Sequence, residues 1–249
     1  MEKISSRKNR IISHMRSVAQ SAEYRAECGQ FICDGEKTLK EAIEYGALIK
    51  QVLWREGKQS IDLPPETEQY EAPADLVEYA SPLKAGPGPV FTVQIPKRDE
   101  DALIERAIVI ENLQDPGNVG TVIRSANAFG IDAVIMVGAC ADLYNPKTVR
   151  ASMGAIFRQR VFKMTINELD EYTQRMCLPL FGAALSDKAA DIRSAELHRS
   201  AVCIGSEGRG LSKELLSICG GELIIPMQPN SESLNAAVAA AVIMWEMSR

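Results

Sequence analysis

Histidine is nearly missing from this chain: His14 and His198 are the only two in 249 residues. That scarcity argues against a His-ligated metal or a His-based triad, so no metal is expected and a general base is not expected to be imidazole. No Cys-x-x-Cys pair occurs among Cys28, Cys33, Cys140, Cys177, Cys203 and Cys219, and no histidine lies near one. Reduced, mostly buried thiols are expected instead of a zinc site or a disulfide framework. No apolar run reaches bilayer length. The longest, Ala236 to Trp245, is ten residues, about half of a spanning helix, so no membrane partner is expected. The start, MEKISSRKNR, is charged with no apolar stretch behind it, so no signal peptide and a cytoplasmic location are expected.

Hydrophobic residues make up 46% and charged residues 24%, the profile of a globular chain of one large or two small domains. The net charge of −5 is unevenly spread. Residues 1–60 carry 11 Lys+Arg against 8 Asp+Glu, residues 61–105 carry 3 against 10, and residues 106–249 carry 14 against 15. Lys3, Arg7, Lys8, Arg10, Arg16 and Arg25 crowd the amino-terminal segment. Such a segment reads either as a solvated helix face or as a patch for phosphate.

Residues 7–22 place Ile11, Ile12, Met15, Val18 and Ala19 at helical spacing. Phe31 to Asp34 is a short apolar run, and a second helix follows with Leu39, Ala42 and Ile43 on one face and Gly46 at C′. Leu48 to Trp54 and Val90 to Ile95 read as strands. Seven of the 12 prolines fall between residues 60 and 100. The expected layout is a small α/β domain over 1–96, a linker over 97–105 and a second domain over 106–249. In the second domain, apolar runs at Ala107 to Ile110, Ala133 to Val137, Pro179 to Ala183, Ala201 to Ile204 and Leu223 to Ile225 alternate with helical segments such as Val119 to Phe129. That alternation predicts a mostly parallel sheet with crossover helices.

Three strand-end loops are unusual, and ligands of open parallel sheets bind at strand carboxyl ends. The first, Glu111 to Gly120, runs into a helix whose Arg124 lies opposite the apolar stripe. Arg124 reads as a solvated surface residue or as a guanidinium aimed at an anion. The second, Gly205-Ser206-Glu207-Gly208-Arg209-Gly210-Leu211-Ser212, matches neither the dinucleotide fingerprint nor the P-loop. It is a structural turn or a close approach to a ligand, and Ser212 can cap the next helix. The third runs from Ile224 to Asn235 into an alanine-rich helix, with Ser231 or Ser233 able to cap it.

Together, in this order, the segments resemble the signature motifs of the SpoU branch of the SPOUT RNA methyltransferases. Asn118-x-Gly120-x-x-x-Arg124 is similar to the first motif and Gly205-Ser206-Glu207-Gly208 to the second. Ile225-Pro226-Met227 with Ser233-Leu234-Asn235 is similar to the third, and Ala151-Ser152-Met153-Gly154-Ala155 to another common segment. Asn9-Arg10-Ile11-Ile12 and Phe31 to Glu36 resemble the family's small substrate-binding domain, itself similar to certain ribosomal proteins. Asp34 stands where Glu is more usual, and Ala236-Ala237 where a valine and a small polar residue are commoner.

The resemblance implies a trefoil-knotted carboxy-terminal α/β domain, S-adenosylmethionine as cofactor, an RNA substrate and a homodimer. The implied reaction is methylation of a ribose 2′-hydroxyl, in 23S ribosomal RNA ahead of transfer RNA. The implied catalytic group is Arg124 with Asn118, Glu207, Ser233 and Asn235. Leu185, Gly205, Glu207, Gly208, Ile225, Met227 and Leu234 are implied to hold the cofactor. Arg7, Lys8 and Arg10, with Lys147, Arg150 and Arg158, are candidates for RNA phosphate. Competing readings are a noncatalytic RNA-binding protein on the same scaffold, a base methyltransferase, and a nicotinamide-dependent oxidoreductase, which the absent Gly-x-Gly-x-x-Gly opposes.

Overall fold

The structure is a computed structural model that describes residues 1–83, 88–97, 103–228 and 233–249. The amino-terminal elements are β1 (Glu2–Lys3), α1 (Arg10–Gln20), α2 (Ala22–Cys28), β2 (Gln30–Asp34), α3 (Glu36–Glu44), β3 (Ile49–Arg55), β4 (Glu68–Ala72), α4 (Ala74–Ala80) and β5 (Val90–Gln94). Then come β6 (Arg106–Glu111), α5 (Pro116–Ala128), β7 (Ala133–Val137), α6 (Pro146–Ala151), β8 (Arg160–Met164), α7 (Ile166–Arg175) and β9 (Leu180–Ala183). The chain closes with β10 (Ala190–Asp191), β11 (Ser200–Ile204), α8 (Lys213–Ile218), β12 (Gly221–Ile224) and α9 (Ala236–Met247). Two compact units result: Met1–Lys97 with Asp142–Phe157, and Arg98–Ala141 with Arg158–Arg249.

The first unit holds a mixed sheet in the order β1-β4-β3-β5-β2, with β5 antiparallel to both its neighbours. Asn9 caps α1 by accepting from the Ile11 N–H. The apolar stripe Ile11, Ile12, Met15 and Val18 is buried against Ile32, Leu53 and Val90 of the sheet and Leu76, Val77 and Ala80 of α4. The single helix expected over 7–22 is divided at Ser21, whose extended backbone ends α1 and whose hydroxyl caps α2. Gly46 follows the helix it was expected to end, with φ 67°.

Residues 142–157 belong to this unit, although the sequence assigns them to the second domain. Phe31 stacks on Tyr144 at 4.7 Å and lies 6.2 Å from Phe157. Arg25, only 4% exposed, donates to Asp142 at 3.0 and 2.6 Å and to the Val18 carbonyl at 2.6 Å. The contacts of Phe31 and the Arg25–Asp142 pair join residues more than a hundred positions apart, so no local periodicity announces them. Of the linker expected over 97–105, residues 98–102 lie outside the described residues.

The second unit carries a sheet in the order β10-β12-β9-β11-β6-β7-β8, and every pairing in it is parallel. Strands β7 and β11 are buried at every position, as expected for parallel strands covered on both faces. Val109, Ile135 and Cys203 pack against Leu169 and Tyr172 of α7 and Leu215 of α8. By two-residue alternation, Ile108, Ile110 and Val134 face the other side. There α5 packs against α9, burying Val119, Val122, Ile123 and Ala126.

All six cysteines are free thiols, but they are not mostly buried as expected: only Cys33 and Cys203 are buried, Cys28, Cys140 and Cys219 are half-buried and Cys177 is exposed. Cys177 follows α7 with a left-handed backbone, φ 47°. Among the described residues, no helix is long and apolar enough to cross a membrane.

Candidate functional site

Each of the three unusual loops leaves the carboxyl end of a parallel strand in the second unit. After β6, Asp115 caps α5 by accepting from the Asn118 N–H at 2.8 Å, with Pro116 in the first turn. This fixes Asn118 one turn into the helix. After β11 the chain folds back on itself. A Cβ placed on Gly205 would lie 2.0 Å from the Gly210 carbonyl carbon and 2.4 Å from the Leu211 nitrogen. Only glycine permits that approach. Gly210, at φ 63°, donates its N–H to the Ser206 carbonyl at 2.8 Å. The turn so closed presents Glu207 and Gly208 at its exposed tip.

After β12 the cap of α9 is Asn235, not a serine. Its side-chain oxygen accepts from the N–H groups of Ala237 at 3.0 Å and Val238 at 3.2 Å. The helix starts at Ala236, so residue 235 holds the capping position, with φ −54° and ψ 139°. Ser233 lies two residues too early, and Ser231 falls outside the described residues.

The three loops meet at one carboxylate oxygen. Glu207 Oε1 accepts from Asn118 Nδ2 at 2.6 Å, from Asn235 Nδ2 at 3.3 Å and from the Ala236 N–H at 3.4 Å. Asn235 also donates to Asn118 Oδ1 at 3.2 Å. One residue from each loop is thus tied into a single polar cluster.

Beside the cluster is an open cavity of about 390 Å³ at the ends of β9, β11 and β12, within the size range of small-ligand sites. Leu185, Gly205, Glu207 and Gly208 line it, as do Ile225, Met227, Ser233 and Leu234. All seven residues proposed from the sequence for the cofactor therefore share one wall system. Leu185 is 64% exposed, an apolar side chain left at the rim.

Arg124 is exposed on α5, nearly two turns beyond Asn118, and does not line this cavity. The phosphate candidates are exposed but separate. Arg7, Lys8, Arg10, Lys147 and Arg150 belong to the first unit and Arg158 to the second. Arg158 donates to Asn127 Oδ1 at 2.8 Å.

One residue without a role in the sequence reading stands out. Glu111, 2% exposed at the end of β6, accepts from the Ser212 N–H at 2.7 Å and from its hydroxyl at 2.6 Å. Ser212 also caps α8 as expected. The signal was a lone carboxylate closing an apolar strand, which nothing local could pair with a partner 101 positions away.

The SpoU rRNA Methylase family matches residues 105–245. The 23S rRNA (guanosine(2553)-2'-O)-methyltransferase RlmP of Bacillus subtilis is 28% identical over 248 residues, covering 99% of each chain. The 23S rRNA (uridine(2479)-2'-O)-methyltransferase of Streptomyces viridochromogenes is 28% identical, over 90% of this chain and 84% of its own. The solved structure of the SpoU methyltransferase AviRb from Streptomyces viridochromogenes, in complex with the cofactor AdoMet, is 25% identical with a TM-score of 0.87, covering 97% of each chain. The family match spans more than half of the chain and contains all three loops that converge on Glu207, so this protein belongs to the SpoU rRNA methylase family.

Proposed function

We propose that this chain transfers a methyl group from S-adenosylmethionine to a ribose 2′-hydroxyl of 23S ribosomal RNA. The observation that carries the reading is the convergence of Asn118, Glu207 and Asn235 beside a cavity lined by Leu185, Ile225, Met227 and Leu234. The curated relatives named above are 23S rRNA 2′-O-methyltransferases over nearly the whole chain. The aligned residues run through both units.

The cavity fits the cofactor in chemistry as well as size. Leucine, isoleucine and methionine side chains offer apolar walls, while Ser206, Glu207 and Ser233 supply polar groups. Gly205 carries no side chain, which lets the turn close beside the cavity. When bound, S-adenosylmethionine supplies a methyl group on an electrophilic sulfonium. The protein's own part is positioning. Glu207, held by Asn118 and Asn235, fixes the second loop at the cavity mouth. Arg124 orients the ribose hydroxyl and favours its ionised form as a fixed cation.

The site is read as completed at a subunit interface. Helix α9 is apolar except for Glu246, yet Val238, Val242 and Trp245 are exposed on it. A helix of that composition is normally covered. Asn118, Thr121, Asn235 and this face border one shallow apolar groove. A second copy packed there, giving a homodimer, puts Arg124 next to an interface instead of in open solvent. The carboxy-terminal unit is read as trefoil-knotted, with the chain after β12 held against the 205–212 turn by the Ala236 and Asn235 bonds to Glu207. The exposed Arg7, Lys8, Arg10, Lys147, Arg150 and Arg158 are assigned to RNA phosphate, and the reaction to the cytoplasm.

Mapping 2′-O-methyl positions in ribosomal RNA from cells with and without the protein tests the reading directly. Loss of one position in 23S RNA is expected, and an unchanged map rejects it. Arg124→Ala is expected to fold and to bind S-adenosylmethionine normally while methylation drops by at least about a hundredfold, the scale of removing one preorganised donor. Near-normal turnover rejects that assignment.

A further inference from the structure

Two guanidinium groups share one exposed aromatic ring on the first unit. The Arg7 Cζ and the Arg16 Cζ each lie 4.7 Å from the centre of the Tyr79 ring. Arg16 also donates from Nη1 to the Tyr79 carbonyl at 3.2 Å, which fixes its position on α4. Tyr79 is 37% exposed, and the Arg7 side chain is 60% exposed.

The charge around this ring is not balanced. Asp75 reaches Arg7 only at 3.9 Å, with both side chains largely in water, a pairing worth little. Glu78 of the same helix is engaged by Arg55 at 3.0 Å. Arg10 faces elsewhere: it is among the cations that lower the Glu68 carboxyl pKa, behind that group's hydrogen bonds from Gln51 and Tyr70. Arg7 and Arg16 are thus gathered by Tyr79, while their sequence neighbour Arg10 is not.

Cation–π contact of about 0.5–1 kcal/mol at an exposed site is enough to hold a guanidinium against a ring. Holding two there concentrates positive charge and planar donor groups about one exposed ring. Donor groups of that kind match the oxygens of a phosphodiester. We propose that Arg7 and Arg16, positioned by Tyr79, form a docking point for the RNA phosphate backbone. This rests on the reading of the protein as an RNA methyltransferase, and it adds Arg16 as a contact and Tyr79 as a positioning residue.

The test uses the full-length protein and a fluorescein-labelled 20-nucleotide single-stranded RNA of mixed sequence, with anisotropy followed across a range of KCl concentrations. Each phosphate contact adds about 0.7 to the steepness of log affinity against log salt for a single strand. Arg7→Ala and Arg16→Ala are each expected to weaken binding and to flatten that slope by about 0.7, and the double variant by about 1.4. Tyr79→Leu keeps both charges but should weaken binding, whereas Tyr79→Phe keeps the ring and should restore it. Thermal melting and S-adenosylmethionine calorimetry, both expected unchanged, separate these effects from misfolding. An unchanged slope in the double variant, or no binding by the parent protein, overturns the proposal. Equal weakening toward a polyglutamate probe also overturns it, by making the patch a general anion site. A failed methylation assay would reject the enzymatic reading but leave these slopes to be read independently.

Discussion

Asn118, one turn into α5, donates a 2.6 Å hydrogen bond to the carboxylate of Glu207, 89 residues further along the chain. The same oxygen accepts from Asn235 Nδ2 and the Ala236 N–H, so one atom connects three loops. Replacing Glu207 by Ala removes all three bonds at once. A hydrogen bond to a charged group contributes about 1.5–3 kcal/mol, which corresponds to roughly a 10- to 100-fold fall in turnover if the cluster positions the reacting groups. Glu207→Gln keeps one acceptor oxygen and should lose less. Steady-state rates with S-adenosylmethionine and ribosomal RNA measure both, and a wild-type rate for Glu207→Ala would refute a positioning role.

Two glycines of the same turn should behave oppositely. At Gly205 an added methyl collides with the backbone of Gly210 and Leu211, whereas nothing lies within 4 Å of one added at Gly208. Gly205→Ala is expected to weaken S-adenosylmethionine binding by at least about tenfold, or 1.4 kcal/mol. Gly208→Ala should stay within about twofold of the parent, as for a surface change. Titration calorimetry distinguishes them, and similar affinities for the two variants would mean that turn closure does not shape the cavity.

Ser212 has two tasks, as donor to the buried Glu111 carboxylate and as cap for the Leu215 N–H. Ser212→Ala loses a cap of about 1 kcal/mol and a charge-assisted hydrogen bond of about 1.5–3 kcal/mol. Denaturant unfolding should show a fall of about 2–4 kcal/mol. Ser212→Thr, which retains the hydroxyl, should recover most of it. A fall below about 0.5 kcal/mol, the range of an ordinary surface change, would show that Glu111 finds its partners elsewhere.

Trp245 projects from α9 with 56% of its surface exposed and meets Phe129 edge to face at 5.8 Å. If a second copy covers this face, Trp245→Glu places a charge in the interface, where tryptophan is typically worth about 2 kcal/mol or more. Sedimentation velocity should then show a dimer for the parent protein and a shift toward monomer for the variant. A parent protein that sediments as a monomer at micromolar concentration would dismiss the dimer.

The parts of this fold that could be read from the sequence are those whose neighbours are supplied by the fold class itself. Ala107 to Ile110, Ala133 to Val137 and Ala201 to Ile204 are apolar throughout because helices cover both faces of a parallel sheet. The stripe of α5 and the basic, amphipathic α1 were legible for the same reason. Strand β4, Glu-Gln-Tyr-Glu-Ala, escaped because only Tyr70 and Ala72 are buried. Strand β8, Arg-Val-Phe-Lys-Met, escaped because it is an edge strand with only Phe162 buried. Partnerships across long separations, such as Glu111 with Ser212 or Arg25 with Asp142, leave no periodic trace. The helical angle of Arg124 correctly set it apart from the core, but its position outside the cavity lining could not be read from that angle.

The passage of residues 142–157 into the first unit means that the backbone crosses between the units at three places, after Lys97, after Ala141 and after Phe157. The amino-terminal part therefore cannot be excised intact by a single cut. Ending the polypeptide at Lys97 would strip Phe31 of its stacking partners Tyr144 and Phe157 and Arg25 of its counter-ion Asp142. Such a fragment would carry a naked aromatic surface and an unneutralised interior charge, and it would underreport the stability that this region has in the whole protein.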